Sequence, residues 1–164
     1  MYRNTLVAAV LFAVPFAASA QTPPAPTPAT ARYVDATDWP TSEAGMDRFF
    51  EAEARLNAGF DKVCGDTFCE GEFSNLRPMQ LRCSVDATKG TIKQCLYTFF
   101  GSHASVNGKT GAVQSTAKLY KCKVLLAKDT PIDAFYAAMA GEDPMNAKLP
   151  MSRHSVYDGL VGCL

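Results

Sequence analysis

Six cysteines, the first at Cys64 and the last at Cys163, set the folds open to this chain, and their role depends on where it matures. Thiols stay reduced in a cytosol and pair in an oxidising compartment. The first twenty residues decide between the two. Arg3 gives a short positive start, Leu6 to Ala18 is apolar, and Ala18-Ser19-Ala20 is a small-residue cleavage site. The apolar run is about 13 residues, short of the roughly 20 that span a bilayer, and Pro15 interrupts it. Residues 1–20 therefore read as a signal peptide. No second apolar run follows, so no membrane insertion is expected after its removal. The first cysteine is far from the cleavage point, which argues against a lipid anchor. The expected setting is the bacterial periplasm or the cell exterior.

In that setting six cysteines make up to three disulfides, and spacing alone leaves many pairings open. The strand pattern narrows them. Leu81, Cys83 and Val85 alternate with Arg82, Ser84 and Asp86, as in a strand with one buried face. Thr88-Lys89-Gly90 suits a three-residue hairpin loop with Gly90 left-handed, closing Ala87 onto Thr91. Counting back sets Cys83 opposite Cys95, Leu81 opposite Tyr97 and Met79 opposite Phe99. Cys64 and Cys69 are close enough to close a small ring, which leaves Cys122 for Cys163. In the chain-entropy account, rings of about 6, 13 and 42 residues are worth at most about 2, 3 and 4 kcal/mol.

The remainder reads as a single α+β domain. Residues 21–39 begin QTPPAPTPATA, a proline-rich linker with no large apolar residue, and the folded domain is expected over 40–164. Thr41-Ser42-Glu43 opens a helix near the domain's N-terminus, with Met46, Phe49, Leu56, Phe60 and Val63 on one stripe and Glu53 inside it. Val106 to Gly111 turns the chain into a third strand over Ala112 to Leu125, making an antiparallel meander of three or more strands. Thr130-Pro131-Ile132-Asp133 and Ser155-Val156-Tyr157-Asp158 each look like a capped helix start, giving one or two short C-terminal helices.

Chemistry-bearing residues are few. Sixteen basic and sixteen acidic side chains leave no net charge, which argues against nucleic acid as a partner. The cysteines are spaced C-x4-C rather than as a redox C-x-x-C, and neither His103 nor His154 stands at zinc-ligand spacing. Ser152, Ser155 and Asp158 near His154 lack the elbow of a serine hydrolase. The acidic loop is the better candidate. Asp66, Glu70 and Glu72, with oxygens from Thr67 and Asn75, are the residues to hold a hard cation such as Ca²⁺, although the spacing is not that of an EF-hand.

VCGDTFCEGEFSNL at 63–76, the two-cysteine hairpin and YDGLVGCL at 157–164 resemble a group of small, cysteine-rich exported proteins of Gram-negative bacteria without an assigned activity. The resemblance spans roughly 46–164. It implies a periplasmic setting and brings no catalytic residues or cofactor. The expected function is an exported, non-catalytic binding module, such as an inhibitor or immunity protein against an envelope-acting enzyme. Phe68, Phe73 and the turn near His103 are the expected contact surface for its periplasmic protein partner. The alternative is a small envelope hydrolase working through the acidic loop.

Overall fold

The computed structural model describes residues 32–164. The signal peptide and residues 21–31 of the linker lie outside the described residues. The fold is α+β. Its antiparallel sheet runs β1 (Tyr33–Asp35), β2 (Arg77–Asp86), β3 (Thr91–Val106) and β4 (Val113–Lys123), in that spatial order. A two-residue strand β5 (Thr130–Pro131) pairs with β3 beyond the hairpin turn. The helices are α1 (Ser42–Cys64), α2 (Ile132–Met139) and α3 (Val156–Val161).

Alternation gives the sheet two unlike faces. Leu81, Cys83 and Val85 of β2, Cys95, Tyr97 and Phe99 of β3, and Tyr120 and Cys122 of β4 are buried on one face. Helix α1 lies over the β2 and β3 residues, while Phe73 meets Tyr120 and Cys163 bonds Cys122. Phe60 meets Phe99 with ring centroids 4.7 Å apart, and the Tyr97 hydroxyl donates to Asn57. Burying Phe49, Leu56 and Phe60 is worth about 1.5–3 kcal/mol each. An exposed helix pair such as Arg55–Glu51, at 2.9 Å, adds only about 0.3–0.5 kcal/mol. Packing on the sheet, not surface charge, holds α1 in place.

The helix stripe differs from the expected one at its first turn. Met46 is 43% exposed, and Gly45 takes the inward position. A side chain on Gly45 would run into the backbone of Thr37 and Trp39. The inward row is Gly45, Phe49, Ala52, Leu56, Gly59 and Phe60. Two of its members are glycines, which an apolar count passes over. Glu53 sits beside that row as the carboxylate that accepts the Leu81 amide at 2.6 Å.

The folded chain also begins earlier than residue 40. Tyr33–Asp35 pairs with Ser84–Asp86, and Trp39 packs on the hairpin turn, where a Cβ on Gly90 would come within 2.7 Å of the indole. The linker reading of 33–39 is corrected accordingly: the aromatic and apolar residues there find partners on the sheet edge.

The hairpin keeps Cys83 opposite Cys95 and Leu81 opposite Tyr97, by a different route from the expected one. The turn closes Asp86 onto Thr91, one residue looser, and a bulge at Lys93 restores the register. A second bulge, at Met79, sets Pro78 rather than Met79 opposite Phe99. At α2 the expected threonine cap does not form. Thr130 is buried in β5 and donates to the Ala127 carbonyl at 2.7 Å, while Pro131 occupies the N-cap. The Ser155–Asp158 capping box of α3 does form.

Three disulfides join Cys64–Cys69, Cys83–Cys95 and Cys122–Cys163. The last ties α3 to β4 across a sequence separation of 41. Among the described residues, no helix is long and apolar enough to cross a membrane. Replacing Cys122 and Cys163 together by serine is expected to lower unfolding free energy in urea by up to about 4 kcal/mol, against about 2 kcal/mol for Cys64 with Cys69. A reversed order would contradict the ring-size account.

Candidate functional site

The acidic loop is built as a cover for the sheet. Phe73, expected at the surface, is fully buried. It packs over Gly101 of β3, where a Cβ would lie 2.7 Å from the Phe73 side chain. Its ring sits 5.7 Å from His103 and 6.4 Å from Tyr120. Phe68 is half-buried, 5.9 Å from Phe60 and 5.2 Å from Tyr157. Neither phenylalanine is therefore free as a contact surface; a glycine in a strand opens the space that draws Phe73 in. The exposed His103 ring adjoins Phe73 rather than standing alone.

The loop's oxygens have separate tasks. Glu72 accepts from Lys118 Nζ and from the Tyr120 hydroxyl, both at 3.2 Å. Hydrogen bonding of Lys118 to Glu72 first, and to Tyr120 second, raises the Lys118 pKa. The Thr67 hydroxyl donates to the Val63 carbonyl. Asn75 accepts from Ser102 N at 2.8 Å and donates to its hydroxyl at 3.1 Å. Asp66 and Glu70 are exposed. Among the described residues, no group of three or more His, Cys, Asp or Glu is gathered as a metal site.

The residues around His154 are also structural. Ser152 donates to the Leu125 carbonyl at 3.2 Å, and Ser155 and Asp158 cap α3. A shallow cleft of about 280 Å³ lies between α1 and α2, with Arg48, Glu51, Arg55 and Asp133 at its rim. Arg48 lies over the Tyr136 ring at 4.6 Å. Burial, opposed by Arg48, pushes the Tyr136 hydroxyl up to about 12.

The outer face of the sheet is where surface chemistry collects. Register places Phe100 opposite Leu119 and Val106 opposite Val113 on that face. These four are 38%, 54%, 69% and 73% exposed, with Ser102, Ala104, Ser115 and Ala117 between them. The solvated face of an antiparallel sheet is ordinarily polar, so this apolar row needs a reason. Lys121 and Lys123 continue the row at one end, opposite Thr98 and Leu96, and Lys109 sits in the turn at the other.

The charge is one-sided. From Ala87 to Lys128 the chain has seven lysines and no acid. Apart from Asp35, Asp38 and Asp86 near the β1–β2 edge, the carboxylates lie on α1, the 66–72 loop and the C-terminal third. On the outer face Arg82 is paired with Asp35 at 3.1 Å, whereas Lys93, Lys121 and Lys123 have no ion pair among the described residues. A cleft of about 400 Å³ at this basic end is lined by Tyr33, Arg82, Lys93, Gln94 and Leu96. Whole-chain net charge concealed this polarity; a running charge count along the sequence reveals it.

The basic end is secured by Asp86. One carboxylate oxygen accepts from Thr88 N at 3.1 Å and from its hydroxyl at 2.6 Å, and the other takes Arg32 at 3.0 Å. The Thr88 hydroxyl, followed by Arg32, outweighs burial and lowers the Asp86 pKa to about 2.

Compared with protein-family models, curated proteins and solved structures, the chain finds no match.

A carboxylate more acidic in the folded than in the unfolded chain stabilises the fold above its unfolded pKa, here near 3.8, and that contribution fades as pH falls toward about 2. Melting temperature should fall across this window in the native protein. The fall should be shallower in Asp86→Asn. Identical acid limbs in the two proteins would contradict the assignment.

Proposed function

We propose that this protein is an exported, non-catalytic binding module of the periplasm, of the inhibitor or immunity kind, that holds a partner protein against the outer face of its sheet. One observation carries the reading: two exposed cross-strand apolar pairs, Phe100–Leu119 and Val106–Val113, on the face of the sheet opposite the core. Contiguous exposed apolar surface edged by polar residues is a mark of interaction sites. Aromatic anchors such as Phe100 supply much of the energy of such contacts.

Export is supported by the three disulfides, which persist in oxidising compartments. The leader pattern of residues 1–20 agrees with it. The acidic-loop hydrolase has weaker support. Its Glu72 is held by Lys118 and Tyr120, and Thr67 and Asn75 are engaged with backbone.

A photo-reactive amino acid at Leu119, in cells exporting the protein, should give a discrete protein adduct. The same probe at Ala54, on the exposed side of α1, should not. No adduct at Leu119, or equal ladders at both positions, would contradict the binding face.

A further inference from the structure

Resting on that binding-face reading, we propose that the occupant is an extended segment of the partner with alternating apolar and acidic side chains, added as a further strand along the free edge of β4. The backbone supplies the first ground. Val124 N donates to Cys95 O at 3.2 Å, and Asn107 N donates to Ala112 O at 2.8 Å. Both bonds fix the phase of the β3–β4 ladder, because hydrogen-bonded pairs alternate along an antiparallel ladder. Gln114, Thr116, Lys118 and Tyr120 turn their amides toward β3. Val113, Ser115, Ala117 and Leu119 turn theirs outward.

Much of the other open backbone in this sheet is answered from within the chain, the outward amides of Ala104 and Val106 at the tip of β3 excepted. Leu81 N is met by Glu53, Ser102 N by Asn75, and the end of β2 by β1. The outward amides from Val113 to Leu119 have no such partner among the described residues. Strands with unmet edges are the docking rails of β-augmentation.

Side chains and charge then choose the occupant. The residues with outward amides also point their side chains to the outer face, so an added strand would lay its apolar side chains beside Leu119, Ala117 and Val113. Lys118, bonded to Glu72 on the opposite face of β4, lies alongside the alternate positions, where the carboxylates of such a strand would sit, and Lys121 stands at the end of the apolar row. A second copy would bring the same lysines to the same edge and be repelled. An anionic membrane would use the lysines and the apolar row but leave the edge amides unpaired. An acidic–apolar strand satisfies all three features together.

The test uses the purified, disulfide-bonded protein and fluorescent peptides of about eight residues that alternate valine with glutamate. The acidic peptide should bind, and its valine–lysine counterpart should not. Ala117→Pro removes an outward N–H and leaves the bonds to β3 in place, so it should weaken binding at least about tenfold with circular dichroism unchanged. Lys118→Glu should do the same. N-methylating the acidic peptide keeps its side chains and removes its donors, and should abolish binding whatever the protein variants do.

Equal binding of the acidic and basic peptides, full binding of the N-methylated peptide, or binding to phosphatidylglycerol vesicles without binding to the peptide would overturn strand addition. Failure of the peptide with the Leu119 adduct retained would overturn strand addition alone. Failure of both would overturn the binding face as well.

Discussion

Everything in this fold follows from one packing contact, the seating of α1 on a single face of the β2–β3–β4 sheet. Phe49, Leu56 and Phe60 fill that face with Leu81, Cys83, Tyr97 and Phe99. The disulfides work around this contact. Cys83–Cys95 joins two strands beneath the helix, Cys64–Cys69 closes the loop that follows it, and Cys122–Cys163 brings the C-terminus onto the last strand. No equivalent layer covers the opposite face among the described residues. The β3–β4 hairpin is therefore buried on one side near the core, through Gly101 and from Tyr120 on, and exposed on both sides toward its turn.

The bare side carries the properties that bear on function. Its larger side chains are apolar or basic, with serines and threonine between them, and the strand at its margin has outward backbone groups in the same stretch. Edge lysines discourage a strand from pairing with its own copies. They also favour a partner of opposite sign. On the proposed reading, one set of residues would select against self-association and for an acidic partner, as a binding module requires. Acids on α1 and in the 66–72 loop balance the lysines over the whole chain, so zero net charge is compatible with a strongly basic face.

Much of the scaffold was legible in the sequence because its signals are local. Alternation around Cys83 and the turn at Gly90 placed the two half-cystines opposite each other, and Ser155 with Asp158 marked the last helix. The misreadings share a physical origin: they involve residues whose role is set by a distant neighbour. Gly45 is inward because the Ala36–Asp38 turn leaves room for nothing larger. Phe73 is buried because Gly101, far along the chain, vacates its own side-chain position. Thr130 left the cap of α2 to pair with Ile92. The loop acids looked like a ligand set in sequence, but Glu72 turns to β4. The outer face was hidden for a simpler reason: Phe100 and Leu119 are ordinary strand residues until the pairing shows them side by side and uncovered.

Amide hydrogen exchange along β4, measured on the dilute protein alone, tests the open edge most directly. Ser115, Ala117 and Leu119 should exchange quickly, and Thr116, Lys118 and Tyr120 slowly, in strict alternation. Uniform slow exchange across both sets would mean that something already covers the edge, and would contradict the account.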